Sequence, residues 1–357
     1  MHEKLYTPGP TEVRAELLNE LATPQIHHRT MEFREIYDDI QGNLKKLLFT
    51  ENPVFIFTSS STGAMEAAVT NGVKKRCLNL VNGAFGSRWH KITKMNGVPC
   101  DKLELEWNEA IKPEMVEEKL ATGEYDAVTL VSNDTSTGIL NPIKEIGEVI
   151  KKYDDVLFLV DAVSAMAGTE IRVDEWGIDM CLAGLQKAFA LPAGLAVASI
   201  SEKLLARSEE VEPRGYYFSL PVMNKYHQKS QTPSTPPIPQ MFAMKKQLED
   251  IVEIEGIENR FKRHQEMAEY VQNWAKKYFD IYPEEGYWSQ TVTCVENTRG
   301  ISVTELNKEL VEKYNCRIAN GYGDLKNKCF RIAHMGDMNL LDIKGLLTAI
   351  NDILSLG

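Results

Sequence analysis

One segment of the sequence gathers small hydroxyl residues where an anion could bind. The run Thr58-Ser-Ser-Ser-Thr-Gly-Ala64 lies between a predicted strand and a helix that is predicted to begin near Ala64. At the start of a helix, such residues offer backbone N–H groups and side-chain donors in the positive end of the helix field, and this arrangement binds phosphate. The same residue types also form ordinary helix N-caps. The run therefore indicates either a phosphate site or a simple helix start.

An acid and a lysine lie at the ends of two later apolar segments. Asp161 directly follows the apolar run Val156–Val160, where a carboxylate needs a partner. It could keep a pyridinium nitrogen protonated, or it could cap the next turn. Lys187 is the only charged residue between Asp179 and Glu202. Burial in so apolar a stretch would lower its pKa and make the amine nucleophilic, whereas a surface lysine would extend its charged end into water.

The order of these three segments favours one kind of site. Each lies at the carboxyl end of a predicted strand, which is where open parallel sheets bind ligands. A phosphate anchor, a pyridinium partner and an amine that can form a Schiff base together describe a site for pyridoxal 5'-phosphate. The nucleotide motifs GxGxxG and GxxxxGK[ST] and the zinc motif HExxH are absent from the sequence, and we predict no metal site.

The elements that position these residues follow from a repeated pattern of short apolar runs. Six runs are apolar on both faces, which predicts interior strands of a parallel sheet. They are Val54–Phe57, Cys77–Val81, Ala127–Val131, Val156–Val160, Ile178–Ala183 and Leu195–Ile200. Stretches between them, such as Glu114–Leu120 and Ile143–Lys152, have helical periodicity. The pattern therefore predicts an α/β fold in which helices cover the sheet.

The pattern changes after about residue 205. Residues 212–240 lack clear periodicity and are rich in proline near their end, which predicts a loop or an extended arm. The later predicted elements are a helix from Met241 to Lys277 interrupted near Gly256, strands at Gln290–Val295 and Cys329–Ala333, and a final helix from about Leu341. We therefore predict an N-terminal arm (1–16), a large α/β domain (17–254) and a smaller C-terminal α+β domain (255–357).

The composition disfavours several classes of function. The 357 residues include 40 Lys and Arg against 51 Asp and Glu, and the net charge of −11 makes nucleic acid and anionic membranes poor partners. No apolar run approaches membrane-spanning length, and the N-terminal residues lack the features of a signal peptide. The six cysteines form no CxxC pair and show no zinc spacing, which suits a reducing cytoplasm. We therefore expect a cytoplasmic protein with Cys77 and Cys181 in its core.

Motifs along nearly the whole chain resemble those of one enzyme family. They are Tyr6-Thr-Pro-Gly-Pro-Thr11, Ile26-His-His-Arg29 with Glu32-Phe33, Ser60-Ser-Thr-Gly-Ala-Met-Glu-Ala67, Asn82-Gly-Ala-Phe-Gly86, Thr135-Ser-Thr-Gly138, Val160-Asp-Ala-Val-Ser164, Gln186-Lys187, Thr235-Pro-Pro237 and Phe330-Arg-Ile-Ala-His-Met-Gly336. The sequence is similar to the class V, fold type I aminotransferases that use pyridoxal phosphate, in the alanine–glyoxylate and serine–pyruvate branch. The resemblance implies a large domain with a mostly parallel mixed sheet flanked by helices, plus a smaller C-terminal α+β domain.

The resemblance also implies roles for individual residues. Lys187 would form the Schiff base and act as general base, and Asp161 would bind the pyridinium nitrogen. Arg331 would bind the substrate carboxylate, and Gly9 would line the substrate pocket. The other implied cofactor contacts are Ser60, Ser61 and Thr62 in the phosphate loop, Gln186 near the phosphate, Phe85 and Val163 on the two faces of the ring, and Thr135 at the ring hydroxyl.

An arm near residue 235 extends the resemblance to a second subunit. Thr235 falls in the segment that reaches the phosphate of the neighbouring subunit, and Thr232 stands where some relatives place a phosphate-contacting tyrosine. The family resemblance thus implies a homodimer with shared active sites. It implies amino transfer from alanine or serine to glyoxylate or pyruvate in a ping-pong cycle.

Three alternatives stay open on the sequence. His28 and Arg29 match a motif that phosphoserine and aminoethylphosphonate aminotransferases use near a substrate phosphate, although relatives without phosphorylated substrates have it too. A lyase of the cysteine desulfurase kind would need an exposed, nucleophilic cysteine and histidines at the positions of Gln186 and Phe85. A non-enzymatic interaction subunit of the same family would not need the retained lysine and aspartate.

Overall fold

The computed structural model describes residues 2–357, and its elements are numbered in chain order. The strands are β1 (Lys4–Leu5), β2 (Val54–Phe57), β3 (Cys77–Val81), β4 (Cys100–Glu104), β5 (Ala127–Val131), β6 (Asn133–Asp134), β7 (Ile139–Leu140), β8 (Leu157–Asp161), β9 (Met180–Gly184), β10 (Ala196–Ile200), β11 (Asp280–Ile281), β12 (Val292–Glu296), β13 (Cys316–Arg317), β14 (Ala319–Asn320) and β15 (Cys329–Ala333).

The helices lie between and after these strands. They are α1 (Ala15–Glu20), α2 (Met31–Leu48), α3 (Ser61–Gly72), α4 (Ala84–Met95), α5 (Pro113–Leu120), α6 (Ile143–Ile150), α7 (Val173–Trp176), α8 (Glu202–Glu210), α9 (Leu220–His227), α10 (Ile238–Glu249), α11 (Ile257–Tyr278), α12 (Val303–Tyr314) and α13 (Leu340–Leu354). A π-helical turn spans Asp250–Glu255 and a 3-10 turn spans Gly323–Leu325. No helix in residues 2–357 is both long and apolar enough to cross a membrane.

A seven-stranded sheet forms the centre of the fold, with the strand order β2-β10-β9-β8-β5-β3-β4. The strands from β9 to β4 in this order pair in parallel, which confirms the predicted mostly parallel sheet. Alternate side chains of a strand face opposite sides of the sheet. Phe158 and Val160 pack into one apolar core, whereas Leu157 and Leu159 pack into another on the opposite face. Because both faces are covered, the central runs are apolar throughout.

Two of the six apolar runs do not become interior parallel strands as predicted. Strand β10 is antiparallel to both β2 and β9. Residues 185–195 join β9 to β10 without a helix, and a parallel pairing would need a longer crossover. Strand β2 lies at the edge of the sheet, yet all four of its residues are buried because α2 and α9 contact it. The apolar pattern therefore indicates that a strand is buried, but it does not predict the direction of that strand.

Residues 212–240 contain the helix α9, which the sequence pattern did not predict. The Ser219 hydroxyl accepts a hydrogen bond from the N–H of Val222, and Pro221 occupies the first turn. Within the eight residues of α9, only Leu220 and Met223 are buried. Two buried positions are too few to produce a recognisable helical period.

The interrupted helix near Gly256 is confirmed. Helix α10 passes into the π-helical turn, and Gly256 then breaks the chain with a φ of +82° before α11 begins. A positive φ of this kind favours glycine. The predicted domain boundary between residues 254 and 255 falls inside the π-helical turn and remains a prediction. Beyond it, β12, β15 and α13 lie where two strands and a final helix were predicted, in a unit whose sheet has the order β11-β12-β15-β14.

The N-terminal arm is anchored on the C-terminal unit. Strand β1 pairs in parallel with β13. The N–H of Tyr6 donates to the carbonyl of Arg317 at 2.8 Å, and the N–H of Ala333 donates to the carbonyl of Tyr6 at 2.9 Å. Residues 7–11 then run toward the large sheet. The two hydrogen bonds of Tyr6 fix the position from which this segment starts.

Candidate active site

A cavity of about 160 Å³ lies at the carboxyl ends of β5, β8 and β9, beside the first turns of α3 and α4. Its lining includes every residue that was predicted to contact the cofactor within one chain. They are Ser60, Ser61, Thr62, Phe85, Thr135, Asp161, Val163, Gln186 and Lys187. Met65, Arg88, Val131 and Asn133 also line it and were not predicted. A larger surface cavity of about 520 Å³ lies beside residues 208–221 and has none of these residues in its lining.

The start of α3 forms one wall of the cavity. The helix begins at Ser61 and not near Ala64 as predicted, so Ser61 and Thr62 lie in its first turn. The N–H groups of Ser61 and Thr62, at the first two positions, have no partner within the helix, whereas that of Gly63 donates to the Ser60 carbonyl at 2.9 Å. Within residues 2–357, the Ser60 side chain makes no capping hydrogen bond to them, although it occupies the N-cap position. The turn is therefore arranged to donate to an anion in the cavity.

Asp161 is the last residue of β8 and is only 2% exposed. One carboxylate oxygen, Oδ1, accepts a hydrogen bond from the N–H of Val163 at 2.8 Å. Burial raises the pKa of this carboxyl from 3.8 to about 7, and the nearby charge of Asp134 adds to the rise. A cationic group in the cavity would favour the ionised form of Asp161.

Lys187 follows β9 and is 8% exposed. Its Nζ donates a hydrogen bond to the carbonyl of Pro8 and lies 3.5 Å from the Thr135 hydroxyl. Burial lowers the pKa of the amine from 10.5 to about 8; the positive charge of Arg331 lowers it further, and Asp161 opposes the shift. The amine is therefore neutral in a larger share of molecules at neutral pH than an ordinary lysine would be.

The N-terminal arm holds Lys187 in place from the other side. The Thr11 hydroxyl donates to the carbonyl of Lys187 at 2.9 Å, and the Thr11 N–H donates to the carbonyl of Gln186 at 3.1 Å. Gly9 was predicted to line the substrate pocket, and the structure places its backbone against the Lys187 side chain. The contacts of Pro8 and Thr11 were not predicted, because they depend on chain segments far apart in sequence.

Replacing Gly9 with alanine should push the arm away from Lys187. A Cβ at this position would lie 2.7 Å from Lys187 Cε, and the φ of +121° is one that L-residues rarely adopt. We expect Gly9→Ala to lower kcat by about 10-fold or more, because misplacing a reactive group by roughly 1 Å is costly. Steady-state kinetics of amino transfer would measure the effect.

Gly215 provides a control for the backbone strain alone. Its φ is +125°, but a Cβ there would meet no atom within 4 Å in the described structure. Gly215→Ala is therefore expected to strain the backbone without moving Lys187. Equal losses of kcat in the two variants would contradict a specific role for the contact between Gly9 and Lys187.

Arg331 lies in β15 of the C-terminal unit and contacts Thr135, a residue of the cavity lining, although Arg331 is not itself part of that lining. Its Nη1 donates to the carbonyl of Thr135 at 3.0 Å and its Nε donates to the carbonyl of Asn320 at 3.1 Å. Its Nη2 has no hydrogen-bond partner within residues 2–357, so one edge of the guanidinium is available. Burial is the main cause that lowers the pKa of Arg331, and an anionic ligand would offset this cost.

A buried network fixes the Thr135 side chain. Its hydroxyl lies 2.5 Å from that of Ser164. The amide nitrogen of Asn133 donates to Ser289 Oγ at 2.7 Å and to Thr291 Oγ1 at 2.8 Å, which joins the cavity floor to the C-terminal unit. Asn133 could not be recognised from the sequence, because an asparagine after a strand is an ordinary turn residue.

Thr232 and Thr235 do not line the Lys187 cavity of their own chain. Thr232 is buried and its hydroxyl donates to the carbonyl of Ser234 at 2.8 Å, whereas Thr235 is exposed. Arg29 holds the arm through hydrogen bonds from Nη1 to the carbonyl of Thr232 at 2.8 Å and to Gln231 Oε1 at 3.0 Å. The contact of Thr235 with a neighbouring subunit remains a prediction.

The cysteines lie outside the lining of the Lys187 cavity. Cys77 and Cys181 are fully buried, as predicted. Cys316 lies in β13, where burial raises the pKa of its thiol, and Cys329 lies in β15. Within residues 2–357, no three His, Cys, Asp or Glu side chains are grouped to hold a metal ion.

Comparison with known proteins gives consistent matches over nearly the whole chain. The model of the aminotransferase class-V family matches residues 11–321. An uncharacterized aminotransferase of Methanocaldococcus jannaschii is 41% identical over 93% of this chain and 87% of its own length. A serine–glyoxylate aminotransferase of Methylorubrum extorquens is 31% identical over 96% of this chain and 89% of its own. The crystal structure of an alanine–glyoxylate aminotransferase from Nostoc sp. superimposes with a TM-score of 0.94, at 25% identity over 99% of this chain and 96% of that one.

Proposed function

The chain belongs to the class-V aminotransferase family and is an aminotransferase, and from that premise we propose its cofactor and substrates. We propose that pyridoxal 5'-phosphate binds in the Lys187 cavity and that the enzyme moves an amino group between alanine or serine and glyoxylate or pyruvate. One observation carries the proposal. A buried lysine and a buried aspartate share one cavity, and their pKa values move toward neutrality from opposite sides. Such shifted pairs are typical of sites that transfer protons.

The shape and polarity of the cavity suit the proposed cofactor. The first turn of α3 offers the N–H groups of Ser61 and Thr62 for a phosphate, and Asp161 offers a carboxylate for a ring nitrogen. Phe85 and Val163 provide apolar surface for the ring, and the Thr135 hydroxyl is held by Ser164 where it can bond a ring substituent. Bound there, pyridoxal phosphate would supply an aldehyde that takes up the amino group and a ring that accepts electrons.

Lys187 would perform two tasks in succession. With a pKa near 8, its neutral amine is available as a nucleophile at neutral pH. Once the substrate amine replaces it, Nζ is free to take the proton from the substrate Cα and to return it elsewhere, which is general base and acid catalysis. The Pro8 carbonyl and the Thr135 hydroxyl orient Nζ during these steps.

Arg331 and Asp161 would stabilise charge at the two ends of the reacting group. The free edge of Arg331 would bind the substrate carboxylate and orient Cα toward Lys187. Asp161 would hold the proton at the ring nitrogen. A second 2-oxo acid entering the same site would reverse the steps and complete the ping-pong cycle.

A homodimer in the cytoplasm completes the proposal. We propose that Thr235 reaches the phosphate in a neighbouring subunit, because it is exposed and the arm that holds it is fixed by Arg29. The cytoplasmic location is supported by the six free cysteines of the chain.

A half-reaction screen tests the proposed function. Single amino acids are added to the cofactor-loaded enzyme without an oxo acid, and absorbance follows conversion of the cofactor from its aldehyde to its amine form. We expect conversion with L-alanine or L-serine and none with D-alanine, because Arg331 and Lys187 fix the position of Cα. Absence of conversion with every amino acid would overturn the proposal.

No specific observation favours the other sequence-based alternatives. Arg29 directs its guanidinium at Gln231, Thr232 and Pro233 of its own chain, so its donors are engaged by the arm. No cysteine is among the residues that line the Lys187 cavity. We therefore do not propose a phosphate site at His28 and Arg29 or a lyase that uses a cysteine.

A further inference from the structure

The turn that carries Lys187 has a strained backbone. In residues 187–190, the N–H of Ala190 donates to the carbonyl of Lys187 at 2.8 Å. Ala190 has a φ of +54°, which places an L-residue in the left-handed region. Such a conformation persists only where the surrounding structure holds it, and it is found most often at functional sites. The position of Lys187 therefore depends on the groups that hold this turn from outside.

Two buried side chains bind the carbonyls of this turn. Arg260 is 1% exposed, and its Nη2 donates to the carbonyl of Ala188 at 2.6 Å. Gln247 is also 1% exposed, and its Nε2 donates to the carbonyl of Phe189 at 2.7 Å. Neither side chain belongs to the lining of the Lys187 cavity. Their influence on the cavity therefore passes through the turn.

One carboxylate orients both of these side chains. Asp337 accepts hydrogen bonds from Gln247 Nε2 at 3.0 Å and from Arg260 Nη1 at 3.2 Å. The same Nη1 also donates to Glu255 Oε2 at 2.8 Å. Asp337 accepts a further bond from Nε of Arg14, which precedes α1, at 3.0 Å. Hydrogen bonds between charged groups are strong and directional, so the position of the Arg260 guanidinium is well defined.

Arg260 joins the segments that follow the two central strands of the site. Its Nε donates to the carbonyl of Ala167 at 2.8 Å, while its Nη2 bonds Ala188. Ala167 follows Asp161 by six positions and also has a positive φ, of +67°. One guanidinium thus holds a strained backbone segment after Asp161 and another after Lys187. All three of its nitrogens are engaged in this way or by carboxylates.

Resting on the proposed function, we propose that Arg260 is a positioning residue of the reaction. It fixes the turn of Lys187 relative to the segment after Asp161, and thereby sets where Nζ meets the proton on the substrate Cα. The planar fork is essential to this role. A lysine at position 260 could keep the ion pairs with Glu255 and Asp337, but its single nitrogen could not also bind both carbonyls.

Amide hydrogen exchange of the cofactor-free protein tests the hold on the turn without any activity. In Arg260→Lys, the Ala190 N–H should exchange about 10-fold faster or more relative to the amides of β5, the size of one lost hydrogen bond to a charged group. The β5 amides report opening of the whole sheet. A substitution that merely destabilised the fold would accelerate both sets equally and leave the ratio unchanged.

Arg207 provides a matched control. Its side chain is 12% exposed, pairs with Asp126 at 3.0 Å and donates to the carbonyl of Asp155 at 2.9 Å. None of its hydrogen bonds within residues 2–357 reaches the turn 187–190. Arg207→Lys is therefore expected to keep the wild-type exchange ratio and the wild-type rate constant of the half-reaction.

Single-turnover kinetics of the loaded enzyme test the consequence for the reaction. The amplitude of the half-reaction counts folded, loaded molecules, whereas its rate constant at saturating donor does not depend on their number. We expect Arg260→Lys to lower the rate constant by about 10- to 100-fold, because misplacing a reacting group by roughly 1 Å is costly. With L-alanine or L-serine deuterated at Cα, the isotope effect of the variant should exceed 1 and be no smaller than that of the wild type, because the slowed step removes that hydrogen.

Gln247→Met is a second variant that decides the matter if Arg260→Lys does not fold. It removes the donor to the Phe189 carbonyl and should shift the exchange ratio and the rate constant in the same directions. Gln41→Met is its control, because it removes a buried donor to the carbonyl of Val54 and should shift neither.

Three results would overturn the inference and leave the proposed function standing. They are a wild-type exchange ratio at Ala190, a wild-type rate constant, or an isotope effect that is lost, in Arg260→Lys or, if that variant does not fold, in Gln247→Met. Failure of every amino acid to convert in the wild-type enzyme would instead contradict the proposed function. The exchange ratio of the cofactor-free protein would still decide whether Arg260 holds the turn.

Discussion

Lys187→Ala is expected to lower the turnover of amino transfer by about 10⁴-fold, which is the upper range for removing a general base. The variant loses the only amine that the structure places in the cavity among residues 2–357. It also loses the nucleophile, so borohydride reduction of the loaded enzyme should no longer fix the cofactor to the chain. A coupled assay with alanine and glyoxylate measures the first effect, and intact-protein mass spectrometry measures the second.

Lys144→Ala is a suitable control because this lysine is exposed on α6, away from the cavity. It should behave as the wild-type enzyme does in both measurements. If Lys187→Ala kept its turnover or its covalent attachment of cofactor, another lysine would have to be the nucleophile.

Asp161→Asn is expected to lower turnover by about 10²- to 10³-fold, the loss that follows removal of one group that stabilises developing charge. Asparagine has nearly the same shape and can still accept the hydrogen bond from the Val163 N–H. It cannot supply the negative charge that keeps a ring nitrogen protonated. Steady-state kinetics at saturating cofactor measure the effect, and an unchanged kcat would remove Asp161 from the mechanism.

The same substitution should stabilise the protein when the cofactor is absent. Folding raises the pKa of Asp161 from 3.8 to about 7, so the folded state binds more protons than the unfolded one between these values. The stability of the wild-type chain therefore falls as the pH rises from about 4 to above 7, by about 4 kcal/mol if the whole shift is realised. Asp161→Asn lacks this titration. Urea unfolding of the cofactor-free proteins should give the variant an advantage at pH 8 that is much smaller at pH 5, and an equal pH dependence in both would contradict the expectation.

The sequence was sufficient to predict the residues that follow apolar strands. Asp161 and Lys187 stand out because each is a charged group at the end of an otherwise apolar stretch, and parallel strands bring their carboxyl ends to one edge of the sheet. Burial imposes this pattern on the sequence directly. The helix break at Gly256 was predictable for a similar reason, since a positive φ restricts the residue type at one position.

Contacts between distant segments could not be predicted in this way. Pro8 meets Lys187 through its backbone carbonyl, which any residue could supply, so its side chain gives no signal. Arg88 looks like an ordinary helical surface residue until Tyr322, from the other unit of the fold, is placed beside it. The direction of β10 could not be predicted either. Its residues are buried in the same way whether the strand runs parallel or antiparallel to its neighbours.

The anchoring of the N-terminal arm has a consequence for the order in which the protein can mature. The Thr11 hydroxyl donates a hydrogen bond to the carbonyl of Lys187, 176 positions later in the chain. The Tyr6 hydroxyl donates one to the carbonyl of Asp342, 336 positions later. Contacts over such separations form late in folding. The entropy cost of closing a long loop opposes folding until the contact itself forms and stabilises the chain. A growing chain that ended before residue 315 could already have every strand of the seven-stranded sheet and its lysine, and would still lack the partner strand of the arm. Enzymatic competence during biosynthesis is therefore expected to appear only when translation is nearly complete, well after the large sheet has the residues it needs to fold.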